Sequence, residues 1–318
     1  MAFLIGTDEA GYGPNLGPLV ISATVWEVPE RLTHKGLYKA LGKCITDCCD
    51  DSDRVWMADS KKLYKPGSGL AKLELGVLPA ISATGQSFVE CWRDVFAALL
   101  ADQRGDMKQL PWYVDFDETL PIDANSQQVD EATARLKKGL NAKGIRIVKI
   151  LSRAIFPRTF NESLREFENK STVLSHETIG MVAELIQSLP GKVRVLCDKH
   201  GARNKYAGLL QHHFADGFVA VERESRESSR YRWDSDEKQV EIEFQTRADN
   251  VLAAALASMT SKYVREISMR AFNRFWCDRK SDLKPTAGYP LDARRFKKQI
   301  SRVQAGLGIS DQVLWRKK

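Results

Sequence analysis

The chain has 318 residues, 43% hydrophobic and 28% charged, which is the composition of an ordinary soluble globular protein able to bury one large core or two smaller ones. No apolar run approaches the roughly 20 residues that span a bilayer, and the N-terminus reaches an acid at Asp8 without a basic leader, so a cytoplasmic protein with no membrane association is expected. The net charge of +7 is concentrated, because residues 261–318 hold 15 Lys/Arg against 5 Asp/Glu, which makes a polyanion such as nucleic acid a candidate partner beside a plain solvated helical face.

In chain order, Phe3-Leu4-Ile5 opens a short buried strand that runs into the glycine-rich stretch from Gly6 to Pro18, and residues 19–25 read as a second strand completing a hairpin. Residues 28–53 look helical and then loop-like, ending in the acidic Asp50-Asp51-Ser52-Asp53. A short strand at 55–57 leads to Asp59-Ser-Lys-Lys-Leu63; helical periodicity follows over 70–81, then a possible strand at 88–91 and a helix to Leu100. Residues 101–144 change character, with Arg-Gly-Asp, Leu-Pro-Trp and an acidic run from Asp115 before a helix over 129–140, and suggest an insertion or lid. A strand at 145–151, a helix at 175–189 and a buried strand at 193–197 ending on Asp198 come next. Helix 206–213, strand 218–222 and a hairpin of 231–233 with 240–246 precede the longest helical pattern, 248–275, with Asp249 at its start. Strands alternating with helices predict an α/β fold on a mixed sheet. The six cysteines, Cys44, Cys48, Cys49, Cys91, Cys197 and Cys277, include no C-x-x-C pair and read as free thiols.

Four acids stand where ligands gather in such folds: Asp8, Glu9 and Asp198 at strand ends, Asp249 at a helix start. Two carboxylates about 4 Å apart repel by about 4 kcal/mol at an effective dielectric near 20. A cluster of them at neutral pH therefore calls for protons or divalent cations, and oxygen-only donors suit Mg2+ or Mn2+. For Asp249 alone a helix cap, and for Asp198 alone a turn acid, are the structural alternatives. A dinucleotide or ATP loop is excluded, since Gly11-x-Gly13-x-x-x-Gly17 misses the G-x-G-x-x-G spacing and acids precede it.

The stretch Asp8-Glu-Ala-Gly-x-Gly-Pro-x-x-Gly-Pro18 resembles the opening signature of the type 2 ribonucleases H, the ribonuclease HII/HIII family. Asp59-Ser-Lys-Lys-Leu63 is similar to that family's second motif and Asp198 to its third acid. Phe244-Gln-Thr-Arg-Ala-Asp249, with Ala257-Ser258, Lys262, Arg265 and Glu266, resembles the block around its fourth acid, and Gly288-Tyr-Pro290 a later K-G-Y segment. The resemblance implies a ribonuclease-H-like mixed sheet flanked by helices, with a catalytic domain over 1–275, an insertion at about 80–145 and a basic helical segment over 276–318. It implies that Asp8, Glu9, Asp198 and Asp249 are catalytic and bind two Mg2+ or Mn2+ ions. It further implies that Gly11, Tyr12 and Gly13 sense the 2′-hydroxyl, that Lys61, Lys62 and Lys262 lie near substrate, and that Tyr289 stacks near the sugar.

The implied activity is cleavage of the RNA strand of RNA–DNA hybrids, or at ribonucleotides in duplex DNA, leaving 3′-hydroxyl and 5′-phosphate ends, by a monomer. The HII branch usually carries Arg between the two glycines, where this chain has Tyr12. Two rivals are another nuclease on the same fold, acting on DNA or junctions, and a nucleic-acid-binding protein without turnover. Outside the motifs, His200, His212 and His213 are weighed as surface or core residues against catalysis. Lys199, Arg203 and Lys205 are weighed as substrate contacts, and Trp92, Trp112 and Trp276 as packing.

Overall fold

A computed structural model describes residues 1–48, 53–85, 89–100, 107, 109–214, 217–234 and 238–317. Cys49, the acidic run at 50–52, Phe88 and the Arg-Gly-Asp at 104–106 lie outside the described residues.

The strands are β1 (Ala2–Ala10), β2 (Leu19–Val28), β3 (Ile45–Thr46), β4 (Val55–Trp56), β5 (Arg146–Ile155), β6 (Gly191–Asp198), β7 (Ala220–Glu224), β8 (Ser228–Asp234) and β9 (Lys238–Gln245). Seven of them form one mixed sheet in the order β5-β2-β1-β6-β9-β8-β7, while β3 and β4 pair apart from it. β1 and β2 form the expected antiparallel hairpin, and β1, β6 and β9 run parallel at the centre. Helices cover both faces of this sheet, which explains why β1 and β2 read as continuous apolar runs and not as alternating ones. The period of two is still there: Ala2 and Leu4 join one core, Phe3 and Ile5 the other.

On the first face lie the long helix Leu252–Arg279 and the helices Ala71–Ala83 and Ser126–Ala142; on the second lie Pro157–Phe167, Lys170–Gln187 and Ala207–His213. Close contact between β1 and the long helix depends on Gly6, where a Cβ would fall 2.3 Å from the Ala253 carbonyl carbon. Thr24 on β2 adds a hydrogen bond from its hydroxyl to the Ala253 carbonyl at 2.7 Å. The start of the long helix, and the residues just before it, are thereby pressed against the acid-bearing strand.

Three elements differ from the expectations. The helix expected over 248–275 begins at Leu252, and Asp249 lies in a separate 3-10 turn, Ala248–Asn250, so it is not a helix cap. The helix Pro157–Phe167 is an addition; Pro157 at its first position is a start signal that the flanking polar residues obscure. At 88–91 the described residues hold one isolated bridge, Cys91 to Thr119. Much of the segment after it is core: Trp112 packs edge-on against Phe272 of the long helix, with ring centres 5.1 Å apart. Buried Glu74 accepts backbone N–H bonds from Ile122, Asp123 and Ala124 at 2.5–2.9 Å, fastening this segment to the helix Ala71–Ala83. Trp92, Trp112 and Trp276 are all buried packing residues.

Candidate active site

Because β1 and β6 are parallel with Thr7 opposite Cys197, their next residues, Asp8 and Asp198, stand side by side at the same end of the sheet, Asp8 still paired with Ser22 of β2 and Asp198 with Gln245 of β9. Glu9 follows Asp8. Asp249 arrives from the 3-10 turn after β9, the other parallel neighbour of β6. The turn is set by Arg247, which takes a left-handed conformation with φ 62°. That geometry brings the Ala248 N–H to Asp198 Oδ1 at 3.2 Å. A non-glycine residue held there stores on the order of 1 kcal/mol of strain, a cost that surrounding structure must offset.

Burial first, and mutual repulsion of the acids second, set the electrostatics of this edge. Asp8 is held well above the ordinary carboxylate value, first by burial and then by Glu9 and Asp198, against a hydrogen bond from Ser258. Burial and then the Asp198 charge push Glu9 up to about 7. Asp198 is raised by burial, although the Ala248 N–H and Lys61 pull it back. Asp249 is raised by burial and by Asp59, against Lys61. Lys61 is the cation of the group, with its ammonium 3.6 Å from Asp249. Burial lowers that ammonium's pKa, but the charges of Asp59, Asp249, Asp8 and Asp198 outweigh it and hold the value above that of an ordinary lysine.

Asp59 is a fifth acid, one that the motifs alone do not single out as part of the group. It caps the short helix Ser60–Leu63 by accepting from the Lys61 N–H at 3.0 Å, and it lies near enough to Asp249 to help raise that carboxyl. The helix is docked by Ser60, whose N–H and hydroxyl meet the Ser258 hydroxyl at 3.3 and 3.0 Å. The available signal is the motif itself: an acid shortly after a strand, two residues before a lysine.

The glycine loop is built from distant parts of the chain. Gly11 has φ +86°, and a Cβ there would lie 2.7 Å from the Pro18 carbonyl oxygen, so the turn requires glycine. Buried Arg265 donates to the carbonyls of Pro18, Leu16 and Ala287 at 2.5, 3.3 and 3.1 Å. Arg316, near the C-terminus and 1% exposed, donates to the carbonyls of Gly11 and Pro14, both at 2.5 Å. Asn15 closes the arrangement, with its N–H on the Gly288 carbonyl and its amide on the Arg316 carbonyl, both at 2.8 Å. Arg265 belongs to the block that resembles the fourth-acid motif, whereas Arg316 carries no sequence signal that separates it from the other C-terminal cations.

Tyr12 projects half-buried, near enough to Glu9 for that charge to add to the effect of burial in raising its phenol, and Lys170 stands 6.0 Å from its ring. Tyr289 is 54% exposed, and its ring edge is 3.7 Å from where a Cβ on Gly13 would lie. Tyr289 and the glycine loop therefore share one surface. Two of the expected substrate lysines stand beside carboxylates in this structure. Lys62 faces Asp47 at 3.9 Å. Lys262 is bonded to Glu266 at 2.5 Å and lies 4.3 Å from the Tyr64 ring, because the i,i+4 carboxylate on its own helix competes for it. Lys199 donates to Asn204 and the Ser225 carbonyl, and Arg203 to Thr172, so both brace loops. His200 is buried against Ser175.

In charge and donor chemistry the acid edge fits a hard divalent cation: oxygen ligands only, two of them on β1 within a buried strand end, and one lysine for four raised carboxylates. Among the described residues no three acids bring one oxygen each within 4.8 Å of one another, so the edge is open and not a closed cage for one ion. No described helix is long and apolar enough to cross a membrane.

A scan against protein-family models finds no match, and a search of curated proteins finds none either. Among solved structures, the chain is similar to a chain of the PCNA:RNase HII complex from Archaeoglobus fulgidus, at 12% identity over 99% of this chain and 94% of that one, with a TM-score of 0.41. It is similar to ribonuclease H2 from Pyrococcus horikoshii OT3, at 15% identity over 98% and 92%, with a TM-score of 0.42. Bst-RNase HIII in complex with Mn2+ matches at 12% identity over 99% of this chain and 66% of that one, with a TM-score of 0.41.

Proposed function

We propose that this chain is a divalent-metal-dependent endonuclease of the type 2 ribonuclease H kind. Its substrate is the RNA strand of an RNA–DNA hybrid, or a ribonucleotide within duplex DNA, and its products carry 3′-hydroxyl and 5′-phosphate ends. The observation that carries this reading is the gathering of Asp8, Glu9, Asp198 and Asp249 from three separate segments at one sheet edge, with Lys61 as their cation. A protein that only bound nucleic acid would gain nothing from clustered acids that repel phosphate and cost stability.

In this reading the four acids hold Mg2+ or Mn2+, which when bound supplies Lewis-acid activation of water and neutralises charge developing on the phosphodiester. Lys61 reaches a phosphate oxygen from beside Asp249. The backbone of Gly11–Gly13 meets the ribose 2′-hydroxyl, which distinguishes RNA from DNA, and Tyr289 packs against the same sugar. The loop's two buried arginines keep that backbone rigid, so selection of the ribose does not require the loop to order on binding. On the helix Pro290–Gly306, Arg294, Lys298 and Arg302 are exposed at successive i,i+4 positions and form a stripe for the duplex backbone. The protein acts as a monomer in the cytoplasm.

The test compares labelled hybrid, single-ribonucleotide, all-DNA and all-RNA duplexes with Mg2+ or Mn2+, using wild type and Asp8→Asn. Cleavage confined to ribonucleotide-containing duplexes, metal-dependent and reduced at least about 100-fold in the variant, is expected, since even residues that only orient metal ligands are worth about 10–100-fold. Cleavage of all-DNA substrates would move the assignment to another nuclease on this fold. No metal-dependent cleavage, or an unchanged rate in Asp8→Asn, would remove it.

A further inference from the structure

Away from the acid edge, His176, His212 and His213 bring one ring nitrogen each within 4.8 Å of one another. His176 lies on the helix Lys170–Gln187, and His212 and His213 are the last two residues of the helix Ala207–His213. The Nδ1 of His176 and the Nε2 of His213 are 3.2 Å apart. The His212 ring is centred 5.5 Å from that of His176 and 5.1 Å from that of His213. Phe167 lies flat on His176 at 4.1 Å, fixing the plane of its ring.

A shared proton accounts for two facing imidazoles but gives the third no part. A tetrahedral ion accounts for all three, since ligand nitrogens about 2.05 Å from such an ion stand about 3.3 Å apart. Three imidazoles without a carboxylate or thiolate select borderline transition ions, Zn2+, Co2+, Ni2+ or Cu2+, over Mg2+ or Ca2+. The local cations do not forbid it: Arg153, behind His213, is paired with Glu177 at 3.6 Å and with Glu184, and Arg203 is bonded to Thr172.

We propose that His176, His212 and His213 form a three-histidine site for a divalent transition ion of the Zn2+ class, chemically distinct from the acid edge and open to water at its fourth position. The ion joins the helix Ala207–His213 to the helix Lys170–Gln187. It thereby anchors the far end of the connection that leaves β6 after Asp198, whose near end is tied by the His200–Ser175 contact at 3.0 Å. The proposal does not depend on the nuclease reading.

The test uses the full chain, stripped with chelator and titrated with Co2+ in excess Mg2+. One equivalent should bind with a visible d–d absorption band, displaced by Zn2+, and Zn2+ should raise the melting temperature. His176→Ala and His213→Ala should lose the band and the thermal shift. So should His212→Ala, which changes an exposed side chain and leaves the core intact, whereas Asp8→Asn should keep both. Absence of the band in wild type, its survival in His212→Ala, or its loss in Asp8→Asn would each overturn the proposal.

Discussion

Replacing Glu9 by Gln should make the metal-free protein more stable and less able to cleave. Burial and the Asp198 charge raise the Glu9 carboxyl from 4.5 to about 7. Between those values the folded chain holds a proton that the unfolded chain has released, so stability is fully present below pH 4.5 and is lost as pH rises through about 7. At 1.36 kcal/mol per pH unit, that interval is a penalty of about 3 kcal/mol at pH 8. Glutamine has nearly the same shape and no charge, so the variant should gain on the order of 2–3 kcal/mol at pH 8 and little at pH 4.5. Urea denaturation in chelator at both pH values reads this directly. Added Mn2+ should narrow the gap by stabilising wild type through its native-state binding, while the variant gains less. Equal stability of variant and wild type at pH 8, or a gap between them that does not widen from pH 4.5 to 8, would refute the account of a buried acid edge; the comparison cancels the buried and half-buried histidines, whose lowered pKa values make both proteins more stable as pH rises.

Arg316→Met should cost about 3–5 kcal/mol in urea denaturation, because the buried Pro14 carbonyl and the half-buried Gly11 carbonyl each lose a charged donor normally worth about 1.5–3 kcal/mol; cleavage should fall together with it, and a loss under about 1 kcal/mol would separate the loop from the C-terminus. Tyr12→Arg should introduce a cation able to pair with phosphate between the glycines and shift the ratio of single-ribonucleotide to hybrid cleavage about tenfold toward the former; an unchanged ratio would remove Tyr12 from substrate selection. Replacing Arg294, Lys298 and Arg302 with Gln should flatten the slope of log affinity against log salt by about 2–3, close to 0.9 for each phosphate no longer neutralised; binding measured across a salt series checks this.

Much of the central architecture was legible because β1, β2 and β6 are apolar runs bounded by acids and glycines, a pattern with few alternative folds. The acids Asp8, Glu9 and Asp198 could be placed at strand ends for the same reason. Asp249 could be placed near them but not in its 3-10 turn, since the left-handed Arg247 that creates the turn is a tertiary choice that propensity opposes. Lys262 is a different case: its motif position points to substrate, and the ion pair with Glu266 one turn along is a contact that the motif alone does not reveal. His176 gives no local signal because it is separated in sequence from His212 and His213, and only the packing of two helices makes them neighbours. Arg316 is hidden for a different reason: in a run of C-terminal cations, nothing local marks the one that turns inward.

That inward turn changes what the basic C-terminal region means. Of its cations, Arg265 and Arg316 are buried under the glycine loop, where burial lowers the pKa of both and the charge of Arg265 lowers Arg316 further. Lys262, Arg270, Lys280, Arg295 and Lys297 are matched by Glu266, Glu118, Asp282, Asp292 and Asp311. These seven contribute to the formal charge but little to a field that a distant polyanion would feel. Arg294, Lys298 and Arg302 make no ion pair among the described residues, and like charges at i,i+4 cost a helix about 0.2–0.5 kcal/mol per pair. A phosphate backbone laid along the stripe removes that repulsion and releases its own counterions. Sequence charge thus overstates the exposed cationic surface and understates the scaffold: the same excess of lysine and arginine both holds the glycine loop from behind and presents a narrow cationic stripe on the helix Pro290–Gly306.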